Sequence, residues 1–294
     1  MKGELLVAGS IALDTIDGAF GSIRDELGGS ALYFALAASL IVPVRVVAAV
    51  GRESADVVRD VVRGRPIDIS QVTVLDAPTY RWRAKQALSR NVDLGSRDSI
   101  YDLWEPAAPS AYAGWAFVGS MRPDRQAQLV GALGGAELLA ADAMLSYVQA
   151  QTPHAREVLR HARWYFCNQE EFEALGGGDP ETFRREWNLD GLVLKAGPRG
   201  VTAHIAGASL HVPAPLDEPV VDTTGAGDAL AAGMLAQWLT AGGAADALHE
   251  SLVWGVACAS IAIADIGLRA LQKATREDLD LRVAEVKKLM SRAR

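Results

Sequence analysis

Asp222-Thr223-Thr224-Gly225-Ala226-Gly227-Asp228-Ala229-Leu230 opens an apolar segment that continues from Leu230 to Leu239. The pattern is a glycine-rich turn feeding the first turn of a helix, with a carboxylate on the seam. A helix N-terminus leaves its first backbone N–H groups without partners and carries a partial positive charge, so it attracts anions. Gly225 and Gly227 let the chain approach a ligand with no Cβ in the way. An aspartate fixed beside such an anion hole is the pairing needed to deprotonate a hydroxyl next to a phosphoryl group. Taken alone, Gly-x-Gly-Asp before a helix is also how an ordinary loop ends in glycine and an acidic cap, so the rest of the chain has to decide.

The chain has 294 residues, 50% of them apolar, which allows a sizeable core in one large α/β domain. Its formal charge of −7 leaves no basic excess for neutralising phosphates along a nucleic acid. Cys167 and Cys258 both lie inside apolar runs, as buried free thiols of a reducing compartment do. The N-terminal residues enter a strand-like run without a signal-peptide pattern, and no uncharged apolar stretch has the length of a membrane span. A cytoplasmic protein with neither a nucleic-acid nor a membrane partner is expected.

Strand-like and helix-like runs alternate along the chain. Glu4–Gly9, Val44–Val50, Trp115–Gly119, Glu137–Ala141, Trp164–Cys167, Gly191–Lys195 and Val201–Ile205 read as strands, several of them apolar throughout. Ser30–Ile41 is apolar nearly all round and suits a helix buried against a sheet, stopped by Pro43; Glu53–Arg63 has helical spacing of valines. This implies an α/β fold: a mostly parallel central sheet with helices on both faces. From Val72 to Tyr101 the pattern changes to a polar period of two, which predicts an antiparallel hairpin with one exposed face, a candidate β lid over a site. No linker or repeat divides the chain, so residues 1–294 are expected to form a single domain, with the lid drawn from roughly 14–20 and 76–102.

Several separated motifs then converge. Val7-Ala8-Gly9-Ser10-Ile11-Ala12-Leu13-Asp14 resembles the opening strand of the PfkB/ribokinase family of carbohydrate kinases, ending at a substrate-binding aspartate. Gly28-Gly29-Ser30 is similar to that family's N-terminal Gly-Gly signature, Asn168-Gln169-Glu170-Glu171 to its Asn-x-x-Glu motif, and Lys195-Ala196-Gly197-Pro198-Arg199-Gly200 to its Gly-x-x-Gly nucleotide loop. Asp222–Asp228 matches its C-terminal signature. The resemblance covers essentially the whole chain in the family's order, and implies a ribokinase-like fold with a small β-sheet lid.

It also implies roles. Asp228 would accept the proton of the attacking hydroxyl, and the backbone N–H groups of Gly225, Ala226 and Gly227 would hold the transferring phosphoryl oxygens. No Gly-x-x-x-x-Gly-Lys-Ser/Thr element occurs, so ATP would be met by this loop and by Mg²⁺ rather than by a P-loop. Glu171 would reach Mg²⁺ through waters. Asn168 would orient phosphate or metal-bound water and can also serve as the N-cap of the following helix. Lys195, Gly197 and Gly200 would lie at the nucleotide, although the two glycines suit an ordinary turn equally well. Carbonyls of Asp222 and Thr224, with the loop after Ile263, match the family's monovalent-cation (K⁺) position.

At the acceptor end, Asp14, Gly28, Gly29 and Asp142 would border the substrate, since carboxylates suit polyols. The chain departs from pentose kinases in having Ala12 and Tyr33 where those commonly carry Asn. Tyr33, Trp82 and Arg83 could stack on or hydrogen-bond a larger substrate, or Tyr33 and Trp82 could simply pack in the core. The expected function is therefore an ATP-dependent kinase of a small sugar, polyol or sugar-like alcohol. The alternatives are a nucleoside kinase of the same fold and a nucleotide-binding regulator without turnover. A homodimer joined through the lid sheets is also expected.

Overall fold

Residues 3–87, 90–109, 111–215 and 220–292 of the chain are described by a computed structural model. Thirteen strands among them fall into two sheets. The large sheet takes β1 (Leu5–Ala8), β4 (Val44–Gly51), β5 (Ile67–Leu75), β8 (Trp115–Val118), β9 (Leu138–Asp142), β10 (Trp164–Asn168), β11 (Gly191–Lys195), β12 (Val201–Ile205) and β13 (Ala208–Val212), in the order β13-β12-β11-β10-β9-β8-β1-β4-β5. All its neighbours run parallel except β11–β12 and β12–β13. The small sheet takes β2 (Ala12–Gly18), β3 (Gly21–Gly28), β6 (Tyr80–Ala87) and β7 (Arg90–Arg97), in the order β3-β2-β6-β7.

The central strands are apolar on both sides because both sides are covered. Leu5 and Val7 belong to one core, with the helices Ser30–Ala38, Ala226–Thr240 and Leu248–Ala262. Leu6 and Ala8, one residue out of step, belong to the other, with the helices Pro123–Ala132 and Thr152–His161. Every residue of Ser30–Ala38 is buried, and Phe34 stacks on Phe117 of β8 with ring centroids 4.7 Å apart. Such a ring pair adds about 0.5–1.5 kcal/mol beyond the area it buries. No helix of the described residues is long and apolar enough to cross a membrane.

Three expectations are corrected. The helix expected over Ser30–Ile41 ends at Ala38, and the chain leaves it in a turn in which Ile41 and Val42 N–H both donate to the Ala38 carbonyl. The helix expected over Glu53–Arg63 is a 3₁₀ turn, Arg52–Ser54, followed by Ala55–Val61. The alternating stretch from Val72 is split between sheets: β5 pairs parallel with β4 at the edge of the large sheet, and only β6 and β7 form the hairpin. Period two reports one exposed face, and an edge strand of a large sheet shares that property with a peripheral hairpin. The hairpin's connection at residues 88–89 lies outside the described residues.

The parallel strands β1, β9, β10 and β11 all point their C-terminal ends to the same edge, where open α/β sheets bind ligands. β1 leads directly into β2, so the small sheet stands over that edge.

Candidate active site

Three chain segments deliver carboxylates to this edge, and a fourth delivers a cation among them. Asp142 ends β9, Asn168 ends β10 with Glu171 one turn later, and Lys195 ends β11. Asp228 lies in the first turn of the helix Ala226–Thr240. The Lys195 ammonium stands 3.6 Å from Asp142 Oδ2 and 3.9 Å from Glu171 Oε2. A Cβ placed on Gly227 would lie 3.0 Å from the same nitrogen, so the ammonium rests against the helix's first turn. Burial works against its charge, yet Glu171, Asp142 and Asp228 hold its pKa above the ordinary lysine value.

Asp228 is pushed above the usual carboxylate range by burial, with Lys195 opposing the shift. Its Oδ1 is sealed from solvent and has no hydrogen-bond partner. A buried, unpartnered carboxylate oxygen is costly unless a ligand completes it. Asp142 is raised for the same reason, and its Oδ1 is likewise unpartnered. The arrangement can take a proton from a hydroxyl while a cation and a helix terminus hold an anion beside it.

The loop before the helix is pinned by a side chain. Asp222 is fully buried; its Oδ1 accepts from Thr224 N at 3.0 Å and Thr224 Oγ1 at 2.7 Å, and its Oδ2 accepts from Gly267 N at 3.1 Å. The Ile263 carbonyl accepts from Val221 N at 2.9 Å, so the two loops expected to share a monovalent cation are joined. Gly225 is left-handed, at φ 73, and a Cβ there would fall 2.0 Å from the Tyr33 ring. Ala226 N–H is already engaged by the Thr223 carbonyl, at 3.3 Å.

Tyr33 is therefore the floor under this loop: it is 1% exposed, and its hydroxyl is unpartnered. Asn168 and Glu171 form a reciprocal capping box, Glu171 N donating to Asn168 Oδ1 at 2.9 Å and Asn168 N to Glu171 Oε2 at 2.8 Å. Asp14 on β2 is buried at 4% exposure, so close to Gly28 that a Cβ on that glycine would meet Asp14 Oδ2 at 2.1 Å. Gly29 then leads into the helix Ser30–Ala38. Trp82 pairs with Asp14 across β2 and β6 and is half-buried, its indole N–H unpartnered. Arg83 stands exposed beside it, its charge felt by the surface residue Asp17. Gly197 and Gly200 bound an exposed 3₁₀ turn between β11 and β12, closed by Ala196 N donating to the Gly200 carbonyl at 2.8 Å.

Two residues escaped the sequence reading. Gln126, 2% exposed, donates to the carbonyls of Val118, Gly119 and Asp142 and so ties the ends of β8 and β9 together. Asn91 on β7 donates to Thr224. Neither sits in a motif, since each is defined by partners distant in sequence.

The Asp14 environment makes a pH-dependent prediction. Burial, then the charges of Asp222 and Asp228, push its pKa from 3.8 up to about 8. Between those values the folded chain keeps a proton that the unfolded chain has shed, so this group's contribution to stability declines as pH rises. Asp14→Asn should unfold at nearly the wild-type temperature at the acid end of this range and at an increasingly higher one as pH approaches 8. Thermal unfolding across that range checks it, and a difference that does not grow with pH would show that Asp14 is not the titrating group.

Residues 125–275, about half of the chain, match the family described as pfkB family carbohydrate kinase. An ATP-dependent ribose-1-phosphate kinase of Halopiger xanaduensis is 33% identical over 114 residues, a stretch spanning 39% of this chain and 37% of that relative. Among solved structures, the nucleoside kinase of Methanocaldococcus jannaschii superposes with a TM-score of 0.77 at 19% identity, covering 97% of this chain and 99% of that one. A double mutant of Vibrio cholerae fructokinase, bound to fructose, ADP and a potassium ion, superposes with a TM-score of 0.77 at 16% identity, covering 96% and 98%.

Proposed function

Because this chain belongs to the pfkB family of carbohydrate kinases, we propose that it is an ATP-dependent kinase of an uncharged hydroxylated small molecule, a sugar or polyol. The carrying observation is Asp228 Oδ1, sealed from solvent and unpartnered in the first turn of a helix, beside an ammonium held by Asp142 and Glu171. In this reading Asp228 takes the acceptor's proton as the hydroxyl attacks phosphorus. Lys195 and the helix N-terminus hold the phosphoryl oxygens, where charge spreads in the transition state. Asp14 and Asp142 accept hydrogen bonds from further hydroxyls.

Among the described residues no group of three or more His, Cys, Asp or Glu could enclose a metal ion. That suits Mg²⁺, which keeps several waters and is held by one or two carboxylates together with substrate phosphates. Glu171 spends Oε2 on its cap and has Oε1 to organise such waters, and the ion when bound would neutralise phosphate charge. Carbonyls near Asp222 and Thr224 are the proposed seat of K⁺, supported by the pin that joins their loop to Gly267. The small sheet acts as the lid, and the edge of β7, where Val92 and Leu94 are exposed, is where a second copy would pair.

The acceptor is taken as uncharged because burial pushes the acidic groups around it, Asp14 and Asp142, toward their neutral forms, and the Lys195 ammonium is already paired with Asp142 and Glu171. A second reading, a nucleoside acceptor, is favoured by Trp82, which offers an aromatic ring and an unpartnered N–H on the strand opposite Asp14. The deciding experiment is a panel of sugars, polyols, nucleosides and sugar phosphates, with phosphorylated product identified by mass. Product from an uncharged member, at a kcat/KM at least about tenfold above that of its phosphorylated analogue, is expected, a tenfold ratio being only about 1.4 kcal/mol. A preference for the phosphorylated acceptor would overturn the reading.

A further inference from the structure

Among the described residues, a hydrogen bond from the hairpin joins the small sheet to the loop that precedes the Asp228 helix. Asn91 Nδ2 donates to Thr224 Oγ1 at 2.8 Å, across 133 positions of sequence. Thr224 Oγ1 in turn donates a hydrogen bond to Asp222 Oδ1 at 2.7 Å, and Asp222 Oδ2 accepts from Gly267 N at 3.1 Å. The donors and acceptors therefore run in one direction, from the β7 side chain to the carboxylate that pins the loop. Thr224 immediately precedes Gly225, the left-handed N-cap of the helix bearing Asp228. The far side of the pin also reaches the small sheet: Ile266, next to Gly267, packs on Ile16, Ile23 and Ala84, and Arg269 pairs with Glu26 of β3. Asn91 Oδ1 is buried without a partner, so the amide is seated there with only its donor half engaged.

We infer that Asn91 is a positioning residue for phosphoryl transfer: through Thr224 and Asp222 it makes the geometry of the Gly225–Asp228 turn depend on where the small sheet sits. The inference rests on the kinase reading above. An interaction at a distance from the reacting atoms can act this strongly because a misplacement of about 1 Å can cost on the order of 10²-fold in rate. An acceptor that seats the small sheet would thereby also set the anion hole, which links transfer to the presence of a substrate rather than water.

The test is a double-mutant cycle on the full chain with the best acceptor of the panel. Asn91→Ala is expected to lower kcat, expressed per folded enzyme as measured by thermal unfolding, at least about tenfold while KM for ATP changes less than about threefold. In a Thr224→Val background, Asn91→Ala should add nothing further, because its partner is gone. In a Thr224→Ser background, which keeps the hydroxyl, the Asn91→Ala loss should return. A kcat within twofold of wild type for Asn91→Ala, or full additivity with Thr224→Val, would overturn the inference; additivity would assign Asn91 to the ligand directly. If wild type transfers phosphate to no acceptor, the kinase reading itself has failed. Amide exchange of residues 222–228, faster in Asn91→Ala than in wild type if the contact positions the turn and unchanged if it does not, then decides the inference alone.

Discussion

Asp228→Asn is expected to lower kcat by about 10²–10⁴-fold, the usual range for a positioned general base, while ATP binding and folding survive. The fold should tolerate the change because the carboxylate is a liability in the ligand-free protein. Its Oδ1 is buried without a partner, and burial already raises its pKa. The melting temperature should accordingly be unchanged or higher, as is common when a strained site is relaxed. The same variant should lose the acidic limb of the kcat/KM profile. In wild type that limb lies above the ordinary aspartate range, since the base works only when ionised and its pKa is raised. A variant retaining more than about a tenth of wild-type kcat would remove Asp228 from the role of base.

Lys195→Met should cost about 10²–10³-fold in kcat, comparable to the loss of one preorganised donor to a developing negative charge. Methionine keeps most of the length of the side chain, so the result reports charge rather than a cavity. Its second signature has a definite sign. Lys195 lowers the pKa of Asp228, of Asp142 and of Glu171, so its removal lets all three rise. The acidic limb of kcat/KM should move to higher pH. The variant should still fold, because carboxylates left without a cation can protonate instead of remaining buried and charged. A reduced rate with an unmoved limb would mean that Lys195 binds phosphate without tuning the base, and an unchanged rate would exclude both roles.

Much of this site was legible in the chain because its parts are local. Gly225 through Asp228 occupy consecutive positions, and a left-handed glycine followed by a helix start is a property of the backbone in that stretch. The capping box of Asn168 and Glu171 spans four residues, so function and capping could be seen together. The turn bounded by Gly197 and Gly200 was legible for the same reason. Tyr33 was recognised as unusual but could not be placed: its ring lies beneath Gly225, a contact made only when the helices Ser30–Ala38 and Ala226–Thr240 pack together. Arg83 and Trp82 sit next to each other in sequence, yet one is exposed and the other half-buried with an unpartnered N–H. Alternation predicts such a division but not which residue meets the site.

By itself, then, the sequence determined the α/β class, where most of the apolar strands lie along the chain, and a helix entered from the Gly225–Gly227 turn with a carboxylate on its seam, because hydrophobic period and glycine placement act over a few residues. The tertiary structure alone decided that β5 joins the large sheet and β6 the small one. It also decided that one ammonium serves Asp142, Glu171 and Asp228, and that Asn91 reaches Thr224. Those outcomes depend on strand order and on side chains brought together from distant positions. Burial then sets their charges through neighbours that no local pattern records.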